Sequence, residues 1–347
     1  MTSKAYRYIG IIAVVLVLIA GLFAGVNYIL HLNRYVVKVN GEGIPIEEFN
    51  VYMKIVKEQK EKLAGITGAE EIKKFWTDPV EGTNPVDFAR QEALDSVIYL
   101  MITSQKAREK GIQSSELDEA LLREKLNTQG FINELKNMGI EEQHIKKIIT
   151  NLSLRLKLFN NLTKEIVLTD SELQKVLSSN TDLTKQYNTR HILLLTIDNS
   201  QKELAPDKQE QIKKQAEEIL DRVQKGEDFS KLAKQYSQDP GSKDLGGQFS
   251  FFKGEADQNY QDAVFKLKAG EVSGLVKSAY GYHIIKLDSV LMPKGQELER
   301  IKIKIRDTYT EQKRNESFDK QMAKWKQEAQ IEKNQQLINS TNIFNLK

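Results

Sequence analysis

The chain opens on one apolar block. Residues 8–33 contain no Asp, Glu, Lys or Arg, and the stretch that begins at Ile9 and closes at Leu30 is almost wholly apolar, with Asn27 as its one clearly polar interruption. About 20 such residues span a hydrocarbon core of about 30 Å, and Tyr6, Tyr8 and Tyr28 sit near the ends as interfacial aromatics do. The pattern predicts a transmembrane helix that anchors the chain through residues 9–30. A cleaved signal peptide shares the charged start at Lys4 and Arg7 and the small residues Ala20, Gly21, Ala24 and Gly25. Its apolar region is usually about 7–15 residues long, however, and the longer run here favours retention. Lys4 and Arg7 stand against Arg34 and Lys38, a slight bias toward N-inside. The bulk of the chain is then expected on the extracytoplasmic side of the cell membrane.

After the anchor the period becomes helical. Val36, Val37 and Val39 suggest a short strand, Asn40-Gly41 a turn, and a helix starts near Glu47 with Phe49, Tyr52, Met53, Val56 and Leu63 at helical spacing. A loop rich in Gly, Pro, Thr and Asn covers residues 77–85. Three helices are predicted next, over 86–110 with Phe88, Ala93, Val97, Leu100 and Met101 inward, over 115–137 opened by the capping box Ser115-x-x-Asp118, and over 141–162. Gly111 and Gly139 stand between them where helix ends are expected. Thr169-x-x-Glu172 opens a further short helix. The lone histidine of this half, His144, lies among Lys and Glu as a surface residue does.

The texture changes near Tyr187. Residues 190–197 read as a buried strand, Pro206 starts a helix that Gly226 stops, and Asp228 caps another over 229–237. A loop at 239–244, the tight turn Gly246-Gly247, a strand at 248–252, a helix at 259–267 and strands at 272–277 and 282–290 complete a β-α-α-β-α-β-β order. That order implies an α+β domain with helices around a small antiparallel sheet. Beyond Pro293 a charged helical tail carries Ile301, Ile305, Tyr309, Phe318, Met322 and Trp325 on a partial apolar face, with 334–347 expected to fray. The chain thus divides into an anchor (1–34), a helical module (35–185), an α+β domain (186–290) and a tail (291–347) that could pack on the helical module.

Composition narrows the chemistry. Length alone, 347 residues, suggests about two domains at roughly 150 residues each. Lys and Arg number 51 against 48 Asp and Glu, a net charge of +3, too even for a dedicated nucleic-acid binder. There is no cysteine, which removes disulfides, thiolate nucleophiles, Cys-containing zinc sites and a lipid anchor on an N-terminal cysteine.

The α+β segment carries, in order, Arg190-His191-Ile192-Leu193, Tyr236-Ser237-Gln238-Asp239-Pro240-Gly241-Ser242, Gly246-Gly247, Phe251-Phe252, Asp262-Ala263-Val264-Phe265-Lys266-Leu267, Gly270-Glu271-Val272-Ser273 and Gly281-Tyr282-His283-Ile284-Ile285. In these residues it resembles a parvulin, the peptidyl-prolyl isomerase domain of exported-protein foldases. The helical half, more weakly, resembles the chaperone half of PrsA and SurA proteins, and the whole chain looks most like a PrsA-type foldase.

The resemblance implies isomerisation of X-Pro bonds in unfolded or partly folded exported polypeptides, without metal or other cofactor. Asp239 falls where parvulins carry Cys or Asp, and the likeness places it with His191 and His283 as a polarising network. It implies a substrate cup of Phe249, Phe252, Ala256, Asp257 and Tyr260. Read from the residues alone, the two strand histidines also suit satisfied core positions, and the aromatics suit a small core. Ala256 and Asp257 replace the family's usual Met and Gln, and Tyr260 the commoner Phe, which leaves a non-catalytic holdase as the alternative reading. The loop at 239–245 lacks a cluster of Lys or Arg, so a phosphorylated substrate is not implied. Oligomeric state is left open, a dimer included.

Overall fold

A computed structural model of the chain describes residues 35–80, 82–198 and 202–346. The expected anchor at residues 9–30 lies outside the described residues. Among the described residues no helix is long and apolar enough to cross a membrane. The fold is α+β in two compact units, one of residues up to 166 together with Arg314–Lys347 and the other Val167–Lys313.

The first unit starts with strands β1 (Tyr35–Val39) and β2 (Glu42–Pro45), which run straight into helix α1 (Ile46–Leu63). Helices α2 (Ala69–Thr77), α3 (Pro85–Glu109), α4 (Glu116–Thr128), α5 (Phe131–Asn137) and α6 (Glu142–Thr163) follow. Helix α3 begins where it does because the Asn84 side chain accepts from the Val86 N–H and Pro85 fills the first turn. Two expectations fail here. The single helix expected over 115–137 is broken, because Gly130 takes a φ of 80°, a conformation glycine reaches without a Cβ penalty. Phe88 does not face inward but is 55% exposed, since Val86, Ala89, Ala93 and Val97 form the buried stripe and Phe88 falls off it.

In the second unit α7 (Asp170–Ser179) opens on the Thr169/Glu172 capping box. The expected order then follows: β3 (Gln186–Leu195), α8 (Pro206–Gln224), α9 (Phe229–Tyr236), β4 (Gln248–Phe252), α10 (Gln258–Val264), β5 (Val276–Lys277) and β6 (Gly281–Leu291). Of the strand expected at 272–277 only its end pairs as β5, and Val272 makes an isolated bridge to Lys286. The strands form one antiparallel sheet in the order β4-β3-β6-β5. Strand alternation divides β3 between two cores. Ile192 and Leu194 pack with Ala216, Ile219, Leu232 and Ala233 of α8 and α9, while Tyr187 joins Phe251, Tyr260, Val264, Ile285 and Leu287 on the other face.

The long helix α11 (Gly295–Glu328) begins in this second unit, where Ile301 and Ile305 bury against Leu168 and Leu173. Helix α7 lies in the same unit, although the sequence grouped it with the helical module. The later part of α11 belongs to the first unit, and its Phe318, Met322 and Trp325 are buried with Phe49, Met53, Leu94, Ile98 and Phe159. Strand β7 (Ile331–Lys333) then adds to β1, giving the order β2-β1-β7, and α12 (Gln335–Ser340) starts at a side-chain cap supplied by Asn334. The expected fraying of 334–347 is therefore corrected for the described part, because Ile338 and Ile343 are buried in that core.

A polar clasp reinforces this closure of the first unit. The Asn40 side chain donates to Gln105 Oε1 at 2.8 Å and accepts from the Gln330 N–H at 2.9 Å, while Gln105 donates to the Val39 carbonyl at 2.8 Å. The buried tail residues make a direct prediction. Phe318→Ala removes a fully buried ring and is expected to cost about 3–5 kcal/mol. Urea unfolding followed by Trp76 and Trp325 fluorescence, both in this unit, measures it; an unchanged midpoint contradicts the packing.

Candidate active site: paired histidines beside an aromatic cup

His191 and His283 come from adjacent strands. In the β3–β6 register His191 lies opposite Ile285 and His283 opposite Leu193, which makes the histidines diagonal neighbours on one face of the sheet. Their rings lie 5.5 Å apart and 11° from parallel, with the two Nδ1 atoms separated by 3.2 Å. Both are buried, at 6% and 4% exposure. His191 Nε2 is 2.9 Å from Asp239 Oδ2 and 2.8 Å from Ser242 Oγ, and the Ser242 hydroxyl also donates to Asp239. On the far side His283 Nε2 is 2.7 Å from Ser278 Oγ, which accepts from the Tyr280 N–H at 3.1 Å.

Donor and acceptor counts fix the protons. The Asp239 carboxylate only accepts, so His191 carries its proton on Nε2 and offers a bare Nδ1. His283 therefore donates from Nδ1 to His191 and accepts at Nε2 from the Ser278 hydroxyl. The result is one directed chain, Ser278 to His283 to His191 to Asp239, with both imidazoles neutral.

Burial is the cause of that neutrality. It holds His191 below the ordinary histidine value against the opposing pull of Asp239. Burial, with His191 beside it, pushes His283 down to about 4. For Asp239 burial acts upward, but hydrogen bonds from Ser242, His191 and the Gly241 N–H outweigh it and keep the carboxyl below its usual range.

The loop that carries Asp239 is held against β3. Strand β4 pairs with β3 only as far as Arg190. Beyond it the His191 N–H donates to the Gly247 carbonyl at 2.8 Å, Leu193 N–H to Ser237 Oγ at 3.2 Å and Leu195 N–H to Gln238 Oε1 at 2.7 Å, while Gln238 N–H donates back to the Leu193 carbonyl at 2.8 Å. The approach requires glycine at 247, where φ is +84° and a Cβ would meet the His191 carbonyl oxygen at 2.4 Å.

Beside the histidines lies an aromatic cup. Phe249 and Phe251 point to the same face of β4, and Tyr260 of α10 stands edge-on to His191, His283 and Phe249 at 5.5, 5.4 and 5.8 Å. Ala256 packs against this cluster. One of the expected cup residues stands elsewhere, and Asp257 has a capping role while its charge acts on His283. Phe252, one position after Phe251, points to the opposite face and packs on the cluster of Leu168, Leu173, Ile301 and Ile305. Asp257 caps α10, its Oδ1 accepting from the N–H groups of Asn259 and Tyr260 at 2.9 and 3.2 Å. The sequence reading missed Ser242, Ser278, Thr189 and Phe251. Strict alternation along β4 would have exchanged Phe252 for Phe251; nothing local marked Ser278, whose role arises only when it meets β6.

The site is thus a polar wall of uncharged imidazoles and one carboxylate next to an apolar, aromatic floor. Among the described residues no group of three or more His, Cys, Asp or Glu side chains could hold a metal ion. The wall can orient and polarise an amide, and the floor can take a compact apolar ring. No thiol is present to act as a nucleophile.

Comparison with known proteins places these features in a family. Residues 171–290 match the PPIC-type PPIASE domain. The chain is 31% identical over 264 residues to the foldase protein PrsA of Caldanaerobacter subterraneus subsp. tengcongensis, covering 75% of each chain. It is 28% identical over 318 residues to a foldase protein PrsA of Clostridium botulinum, covering 85% of this chain and 87% of that one. A crystal structure of the peptidylprolyl isomerase PrsA from Bacillus anthracis, 26% identical, gives a TM-score of 0.35 and covers 67% of this chain and 94% of that chain.

The depressed histidine has a signed consequence. An unfolded chain protonates His283 near 6.5 and the folded chain only near 4, so the stability held above pH 6.5 is lost as pH falls toward 4. The loss from this group is on the order of 3 kcal/mol. Titration of the imidazole Cε1–H resonances is expected to show no step for His283 between pH 6 and 7, and for His191 a midpoint below that of an exposed histidine. An ordinary midpoint for His283 contradicts the buried neutral pair.

Proposed function

The chain belongs to the PrsA family of foldases, and from that membership we propose that the histidine pair, Asp239 and the adjoining aromatic cup are where it turns X-Pro bonds. It is a foldase for exported proteins with a parvulin-type peptidyl-prolyl cis-trans isomerase unit. The observation that carries the site assignment is the uncharged, fully hydrogen-bonded histidine network opening on a cup of aromatic rings.

The chemistry follows from amide resonance. That resonance sets a barrier of about 18–20 kcal/mol and leaves the uncatalysed X-Pro bond turning over in tens to hundreds of seconds. In the twisted transition state conjugation is lost and the amide dipole falls. An apolar cup of Phe249, Tyr260 and Ala256, backed by Phe251, grips the proline ring in the planar and the twisted state alike and holds it in place while the carbonyl turns. His191, His283 and Asp239 hold a fixed field beside the turning carbonyl, and because their protons are already committed they need not reorganise as it turns. No bond is made or broken and no proton leaves the network.

The helical unit supplies a second reading, that of a holdase. Phe75, Trp76, Phe88, Tyr99, Leu100 and Leu152 help line an apolar recess of about 980 Å³, which supports a role in gripping unfolded segments. Anchoring through residues 9–30, with the remainder on the extracytoplasmic side, is supported by the length and purity of that apolar run.

The two roles separate by mutation. His191→Ala and His283→Ala are each expected to lower kcat/KM on an Ala-Pro peptide by about tenfold or more, ~1.4 kcal/mol at the least. Phe252→Ala, on the opposite face of β4, is expected to change it less than about twofold by the same relation. NMR exchange or a protease-coupled assay measures both. A wild-type chain with no rate above buffer that still suppresses client aggregation leaves only the holdase.

A further inference from the structure

We propose that Thr189 is a positioning residue for the isomerisation: acting through the Tyr260 hydroxyl, it fixes the tilt of the ring against which both histidines and Phe249 bear. The inference rests on the site assignment just made and deepens it.

Thr189 lies two residues before His191 on β3, on the same face, and is 2% exposed. Its Oγ1 donates to the Phe249 carbonyl at 2.8 Å and lies 2.8 Å from the Tyr260 hydroxyl. The carbonyl can only accept, so the Thr189 hydrogen is spoken for and the phenol must be the donor to Thr189. Burial raises the Tyr260 phenol well above its ordinary value, so the donor persists at every working pH. A three-residue chain, Tyr260 to Thr189 to the Phe249 backbone, therefore ties α10 to β3 and β4 beneath the cup.

The ring so tethered is the one all others use. Tyr260 meets His191 at 87°, His283 at 82°, Phe249 at 85° and Phe251 at 76°. The two histidines are within 11° of parallel, and Phe249 and Phe251 within 16°. Two near-parallel pairs of rings thus stand against one ring that meets each of them edge to face, and a tilt of its axis would disturb every edge-to-face contact together. The apolar side chain that the turn before α10 contributes to the cluster is the small Ala256. The hydroxyl, at the far end of the ring axis, adds a directional restraint that packing alone does not supply. Because Oγ1 and the phenol oxygen are both buried, breaking the link leaves an unsatisfied group and is strongly disfavoured.

The test uses the intact chain and four variants, with the peptide's KM and kcat resolved by NMR exchange on an Ala-Pro peptide. Tyr260→Phe removes one oxygen, Thr189→Val removes the hydroxyl at constant shape, and Thr189→Ser keeps it. The first two are expected to raise KM about 3–10-fold with kcat within about twofold, as loss of grip shared by ground and transition states requires. Thr189→Ser is expected to retain wild-type KM, and the Tyr260→Phe/Thr189→Val double variant to be no worse than either single one, because both cut the same link. Full KM for Tyr260→Phe, failure of Thr189→Ser to match wild type, or multiplying effects in the double variant would overturn the inference. If Thr189→Val does not fold, Tyr260→Phe and Thr189→Ser still decide. A wild-type chain that fails to catalyse strikes the site assignment itself, whereas an active wild type with an indifferent Tyr260→Phe strikes only the role of Thr189.

Discussion

Two imidazoles buried ring to ring, with an anionic carboxylate on one outer nitrogen and a hydroxyl donor on the other, leave room for one proton arrangement at neutral pH. A positive charge on His283 would sit in an apolar interior next to another ring that resists it, and burial moves both bases down accordingly. The sheet, the loop at 237–247 and the cup are arranged around keeping that pair dry and correctly protonated.

The rest of the second unit reads as the means to that end. Adjacent antiparallel strands bring the histidines into diagonal register. Where β4 stops pairing, side chains and backbone of the loop that leads into it take over the hydrogen bonds of β3, and this is what delivers Asp239 and Ser242 to the outer nitrogen of His191. Gly247 and Gly281 permit the close approach: a Cβ at 281 would meet the Leu194 carbonyl oxygen at 2.0 Å. A site of this kind works by pre-set orientation, which suits a reaction whose barrier is a loss of resonance and whose transition state needs no acid or base.

Much of this was legible in the sequence, for physical reasons that differ from place to place. The β-α-α-β-α-β-β order emerged because caps such as Asp228, stops such as Gly226 and alternation along the strands are local signals. His191, Asp239 and His283 came from resemblance, which already encodes the long-range contacts. The misplacement of Phe252 shows the limit. In a strand, a slip of one position exchanges faces; residue type cannot choose between two adjacent phenylalanines, and only alternation from Phe249 selects Phe251. Ser278 was invisible because its partner is made by the fold alone. Fraying is expected only of 334–347, where no local signal shows that Ile338 and Ile343 find their core with α1 and α3, far away in sequence.

The account stands on the direction of one shared proton. Long-range 15N–1H correlation of the imidazole nitrogens at pH 7 reads that direction without perturbing the site. The structure requires the Nε2–H tautomer on His191, the Nδ1–H tautomer on His283 and no imidazolium on either. Two Nε2–H tautomers, or a charged ring at that pH, would contradict it.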